Sequence, residues 1–126
     1  ELGYDYVVFY SLTPTTPPEM TLNAQVGPRA VTAIAPQKQD GEKSLVGWVY
    51  QNGQSRIVGP DDEPNHPFIK QGRFGTGVCV PVGTSLRFGV ILACREQPNA
   101  ITQQNVLMLE LVCAQLASAL VKQAKS

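Results

Sequence analysis

Four groups of residues have the types and spacing that chemistry uses. Asp61-Asp62-Glu63 precedes His66, the only histidine of the chain. Carboxylates beside an imidazole can share a proton or hold a metal ion. Neighbours in sequence do not converge on one point unaided, and Pro60, Pro64 and Pro67 stiffen the stretch. The ordinary reading is therefore a solvated acidic loop; the sharper one sets Asp61 or His66 against a ligand. Gly72-Arg73-Phe74-Gly75-Thr76-Gly77 invites a phosphate cradle. A cradle opens a helix whose first amides face the anion, whereas these glycines lead into a strand and no Gly-Lys-Ser/Thr follows. A flexible connection that can also serve as a lid fits better. Three cysteines, Cys79, Cys94 and Cys113, make an odd set without a Cys-x-x-Cys, which argues against a disulfide framework or a zinc site. Each lies in an apolar run and reads as a small buried hydrophobe. A nucleophilic pair would take Cys79 or Cys94 with His66, yet nothing in the residue order places them together. No Gly-x-Ser-x-Gly elbow occurs. The single tryptophan, Trp48, reads as core packing or, through its polar N–H, as the wall of a pocket.

The elements that must position these groups follow from patterning. Residues 4–12 are dominated by aromatic and β-branched side chains and predict a strand. Tyr6, Val8 and Tyr10 share one face and Val7 and Phe9 the other, so the strand should be central and covered on both sides. After the breakers Pro14, Pro17 and Pro18, residues 20–26 read as a second strand, 31–34 stay ambiguous between strand and helix, and polar 37–43 reads as a surface loop. Residues 44–52 predict a short helix, with Ser44 as N-cap, Leu45, Trp48 and Val49 on one face and Gly53 at its end. A short strand at 55–58, a loop at 59–67 and one helical turn at 67–71 follow. Strands at 78–82 and 88–94 are joined through Gly83-Thr84-Ser85 as a hairpin. Residues 102–125 form a long helix capped by Thr102. Leu109, Cys113, Leu116 and Leu120 make one apolar line along it and Leu107, Leu111 and Val121 a second; one line should cover the sheet and the other meet a partner helix. Strands adjacent in sequence under a helix make an α+β domain with an antiparallel sheet.

Composition narrows the function classes. The 126 residues suit one domain, with ten basic against ten acidic side chains and 16% charged residues. No basic excess points to nucleic acid. The longest apolar stretches, 89–94 and 114–121, are shorter than a membrane span of about 20 residues, and no signal-peptide pattern opens the chain. A neutral cytoplasmic domain, excised from something longer since it begins at Glu1, is the expectation.

From residue 44 onward the sequence resembles GAF domains. Leu45-Val46-Gly47-Trp48-Val49-Tyr50-Gln51-Asn52-Gly53-Gln54 looks like the glycine-bounded short helix that leads into a strand in that family. Asp61 and Asp62 match its acidic loop, Gly77-Val78-Cys79-Val80-Pro81-Val82 its Val-Pro strand and Phe88-Gly89-Val90-Ile91-Leu92 its glycine-led strand. The closing helix, Leu109-Glu110-Leu111-Val112-Cys113-Ala114-Gln115-Leu116-Ala117-Ser118-Ala119-Leu120, carries the most specific piece, Val112-Cys113-Ala114-Gln115-Leu116-Ala117. The family's N-terminal helix is absent or was cut off, and the aromatic that commonly precedes the closing helix is replaced around Ala100-Ile101.

The resemblance implies an antiparallel sheet of about six strands, the terminal helix on one face and short helices over a ligand pocket on the other. It implies a sensory or regulatory domain of a signalling protein that binds a small organic ligand and forms a homodimer through its terminal helix. The pocket would lie between the sheet and residues 44–75, lined by Tyr10, Trp48, Phe68, Phe74 and Cys79, with Asp61 and His66 as polar contacts; the dimer line would be Leu109, Cys113, Leu116 and Leu120. A ligand-free dimerisation module is the alternative, and a thiol enzyme of the same fold, such as a free methionine sulfoxide reductase, a more distant one. Subfamily markers point away from particular cofactors: there is no Cys-His for a bilin, and the Asn-Lys-Phe-Asp-Glu set of cyclic-nucleotide binders has no place here. Free methionine sulfoxide reductases resemble the chain too, but where their catalytic cysteines sit this sequence has Trp48 and the Asp61 loop. The expectation is thus a non-enzymatic module.

Overall fold

The computed structural model describes residues 3–83 and 87–125. Strands β1 (Tyr6–Thr13), β2 (Glu19–Val26), β3 (Lys38–Asp40), β4 (Arg56–Val58), β5 (Thr76–Val82) and β6 (Gly89–Arg95) form one sheet in the order β3-β2-β1-β6-β5-β4. Every neighbouring pair is antiparallel. The strand whose two faces both read as apolar, β1, does lie in the middle, between β2 and β6. The sixth strand is β3, in a segment expected to be a surface loop. Lys38-Gln39-Asp40 carries no apolar side chain and is held by backbone pairing of Glu19, Met20 and Thr21 with Asp40, Gln39 and Lys38. The ambiguous segment forms a single helical turn, α1 (Arg29–Thr32).

Helices α2 (Leu45–Asn52) and α3 (Pro67–Lys70) cover one face of the sheet and α4 (Gln103–Lys125) the other. Local chemistry sets each boundary. The Gly47 amide donates to Ser44 Oγ at 3.0 Å, and Gly53 closes α2 at φ 66°, a conformation that suits glycine. Thr102 and Asn105 cap the start of α4 reciprocally, through bonds of 2.9 and 3.2 Å. The backbone of α2 lies tight against the turn before it: a Cβ at Gly47 would stand 2.5 Å from the Asp40 carbonyl oxygen. Of the expected hairpin, Thr84 and Ser85 lie outside the described residues.

The alternation of each strand divides the interior into two clusters. Tyr6, Val8 and Tyr10 of β1, with Cys79, Leu92 and Cys94 of β5 and β6, meet Leu45, Val46 and Val49 of α2 and Phe68 and Ile69 of α3. Val78, Val80, Val82, Ile91 and Ala93 point the other way and meet Val106, Leu109 and Cys113 of α4. This phase of α4 corrects the expected dimer line. Leu109 and Cys113 are 3% and 1% exposed, and Leu116 and Leu120 pack half-buried on the same cluster. That line is spent on the chain's own sheet. The outward face carries Leu107, Met108, Leu111 and Val112, all exposed. By length and composition Gln103–Gln123 of α4 is also long and apolar enough to cross a membrane. Counting short apolar stretches missed this, because Glu110 interrupts the helix without making it polar.

Candidate functional site

The site is built from the face under α2 and α3. Tyr10 stands at a bulge of β1, where the pairing with β2 shifts between Phe9 and Tyr10. Its side chain is fully buried among Met20, Phe68 and Cys79. His66 is the N-cap of α3, extended at φ −92° and ψ 143°, and Pro67 takes the first helical position. This geometry turns the imidazole inward, where it is also fully buried. Ile69 seats over a glycine of β5: a Cβ at Gly77 would come within 2.5 Å of Ile69 Cδ1.

The polar atoms here form a closed set. His66 Nδ1 accepts the Phe68 amide at 3.1 Å and is therefore unprotonated. The ring proton belongs on Nε2, 3.1 Å from Tyr10 Oη. Tyr10 donates in turn to the Pro36 carbonyl at 2.9 Å and accepts from Gln39 Nε2 at 3.4 Å. The phenol thus uses its proton and both lone pairs. Burial pushes the His66 pKa down to about 4 and raises that of Tyr10 to about 12. The hydrogen bonds and the desolvation agree: the pair is neutral. Around it the rings are close, with His66 and Phe68 centroids 5.3 Å apart, Tyr6 edge-on to Phe68 at 5.6 Å, and Tyr6 stacked on Phe74 at 5.8 Å.

Above His66 lies a cleft of about 330 Å³ lined by Gln39, Glu63, Asn65, Pro67, Lys70 and Gln71. Glu63 and Lys70 pair across its rim. Its two middle residues flank His66 in sequence, and its inner residue Gln39 is the one that reaches Tyr10. The loop before it is closed by its own bonds, Gly59 amide to Asp62 Oδ2 at 2.7 Å and Asn65 Nδ2 to the Gly59 carbonyl at 2.8 Å. Among the described residues no three His, Cys, Asp or Glu side chains are grouped to hold a metal ion.

Of the residues singled out from sequence, Tyr10, Phe68, Phe74 and Cys79 come together in one cluster, and His66 packs on its Tyr10 and Phe68 rings. Two do not join them. Asp61 is exposed in the turn. Trp48 is half-buried on the outer side of the cluster, with the Arg56 guanidinium 4.8 Å from its ring centre. Gln39 and the Pro36 carbonyl were missed: a lone amide between two charged residues, and a backbone oxygen, give no pattern to read. The cysteines are buried, and burial raises all three thiol pKa values, Cys113 to about 12. A thiolate at Cys79 or Cys94 would require the sheet face to open.

The sequence matches the GAF domain family over residues 1–121. The chain belongs to that family. GAF domains are typically sensory or regulatory parts of larger proteins, and commonly bind small molecules and dimerise. No curated protein matches the sequence. Among solved structures, the GAF domain of an Acinetobacter phosphoenolpyruvate-protein phosphotransferase is similar at TM-score 0.72 and 20% identity, over 97% of this chain and 73% of that one. The GAF domain of a Bacillus halodurans two-component sensor histidine kinase gives 0.73 at 17% identity, over 98% and 86%. The free methionine-R-sulfoxide reductase of Neisseria meningitidis, solved with its substrate, gives 0.74 at 22% identity, over 92% of this chain and 66% of that one. This GAF domain therefore spans just under two thirds of that reductase.

The reductase corrects one expectation. The sequence reading set the chain outside the enzymes, yet an enzyme shares its fold as closely as the regulatory domains do. The GAF fold alone does not exclude catalysis.

Proposed function

We propose that this GAF domain is a regulatory module that takes a small organic ligand beneath α3 and passes the effect to a dimer formed through α4. One observation carries the reading: a neutral polar pair, Tyr10 and His66, is sealed in an aromatic cluster directly below a surface cleft. Buried polar groups set among apolar walls are what orient a small ligand. Transmission has a short route, since the two clusters share β5 and β6. Cys79 and Leu92 face the site while their neighbours Val78, Val80, Ile91 and Ala93 face α4. A ligand that favours one arrangement of α3 would shift the population of α4 positions through that single layer. The exposed line of Leu107, Met108, Leu111 and Val112 supports α4 as the meeting surface of two copies.

A second reading, a ligand-free dimerisation module, is favoured by the packing itself, because Tyr6, Tyr10 and Met20 are fully buried by protein atoms alone. Native mass spectrometry of gently purified protein separates the two. A dimer carrying extra mass supports the sensor, and a small molecule so identified should alter hydrogen exchange along α4. A clean dimer that no member of a chemically diverse panel stabilises supports the module.

A further inference from the structure

We propose that the His66 imidazole is a built-in occupant of the ligand site, and that the ligand displacing it is a neutral, planar heterocycle carrying a ring N–H. The inference deepens the sensor reading above and rests on it.

The imidazole already sits as a bound ligand would. It is fully buried, tilted against the Tyr10 and Phe68 rings at 6.1 and 5.3 Å, and held at its outer nitrogen by Tyr10 Oη at 3.1 Å. The segment that carries it is attached to the rest of the domain by side chains. Among the described residues, the backbone hydrogen bonds of residues 66–74 close within residues 65–74. Gly72, at φ +83° with open space around it, gives the segment a pivot. Outward movement of His66 would join its space to the cleft of about 330 Å³ above it, a volume at the small end of ligand pockets.

What His66 leaves behind defines its replacement. Tyr10 spends its proton on the Pro36 carbonyl, so the vacated position asks for a hydrogen-bond donor, the role of Nε2–H. The Tyr10 ring, which stays on β1, favours a flat π-system. The polar groups lining the inner end, Tyr10 and Gln39, are uncharged, and Lys70 is paired with Glu63 at the rim. A phosphate or carboxylate would enter without a counter-charge there.

The test uses imidazole against 1-methylimidazole, which keeps the ring and lacks the N–H. In His66→Ala, imidazole should raise the melting temperature in a saturable way, with an affinity at least tenfold above that for 1-methylimidazole and at least tenfold above imidazole on the unaltered protein. Equal response to the two probes in a folded His66→Ala protein, or none, overturns the proposal. Should His66→Ala fail to fold, hydrogen exchange on the unaltered protein with benzimidazole decides instead. Faster exchange in residues 66–74 with slower exchange in β1 and β5 supports displacement; slower or unchanged exchange in 66–74 overturns it. The sensor reading fails separately: azole rescue with α4 exchange and dimerisation unmoved would keep the plug and discard the sensor. A natural ligand that binds His66→Ala no more tightly than the unaltered protein would keep the sensor and discard the plug.

Discussion

The two faces of the sheet are built from different materials. The α4 face has an aliphatic centre, valines of β5 and an isoleucine and an alanine of β6 under one long helix, with Tyr4, Phe9 and Phe88 half-buried against it. The α2–α3 face is aromatic, holds the buried histidine, and is roofed by an eight-residue helix, a four-residue helix and loops. Short helices contribute little stability of their own and depend on the side chains they bury. The difference separates duties. On the proposed reading, one face fixes the fold and the other is assembled from pieces that part without unravelling the sheet, a division that the following variants test.

The strongest way to break this contrast is Phe74→Ala. It removes a buried ring stacked on Tyr6 and tilted against Phe68, and should cost about 4 kcal/mol in urea unfolding. If the division holds, near-native exchange protection persists in β5, β6 and α4 while α3 loses it. Uniform loss throughout would show one undivided core.

A pH series sharpens it next. The folded-state pKa of His66 lies near 4, below the ordinary 6.5. A histidine buried neutral binds fewer protons folded than unfolded, so its contribution is complete above pH 6.5 and is lost as pH falls toward 4. That loss should reach about 3 kcal/mol, from 1.36 kcal/mol per pKa unit. His66→Asn should flatten the slope between pH 6.5 and 4. An unaltered slope would mean that the histidine is not sealed.

Ser44→Ala should cost about 1 kcal/mol, since it removes the cap of α2. On the opposite face, Leu111→Glu should change stability by less than about 0.5 kcal/mol yet drive the proposed dimer toward monomer in sedimentation velocity. Leu109→Glu, buried under the same helix, should unfold the protein instead. Equal effects of the two would erase the distinction between the inner and outer lines of α4.

How far the sequence reveals this molecule depends on what holds each part. The strand at β1 is legible because both of its faces are apolar, and α2 because Ser44 and Gly53 mark its ends. The edge strand β3 is not, since backbone pairing alone holds Lys38-Gln39-Asp40 and no side chain records it. The two lines of α4 have nearly the same spacing. Which one faces inward is decided by where Ile101 and Val106 dock, a tertiary matter that periodicity does not carry. Residue type picks out Tyr10, His66, Phe68 and Phe74, which the fold brings together. Trp48 and Asp61 do not join them, because a polar tip or a charge marks chemistry without marking direction. The Gln39 and Pro36 contributions come from chain path alone.

The pairing of β1 with β6 carries a consequence for synthesis. Tyr6 finds its partner in Cys94 and Tyr10 in Val90, so the middle of the sheet joins residues roughly 80–90 positions apart. At translation speeds of about 5–20 residues per second, one edge of β1 stays open for on the order of ten seconds after it leaves the ribosome. The hairpin with β2 can form early, but Val7 and Phe9 wait uncovered until β6 and α4 arrive. That interval is when an apolar edge is most prone to wrong partners, and it makes the nascent chain, more than the finished domain, the natural client of a chaperone.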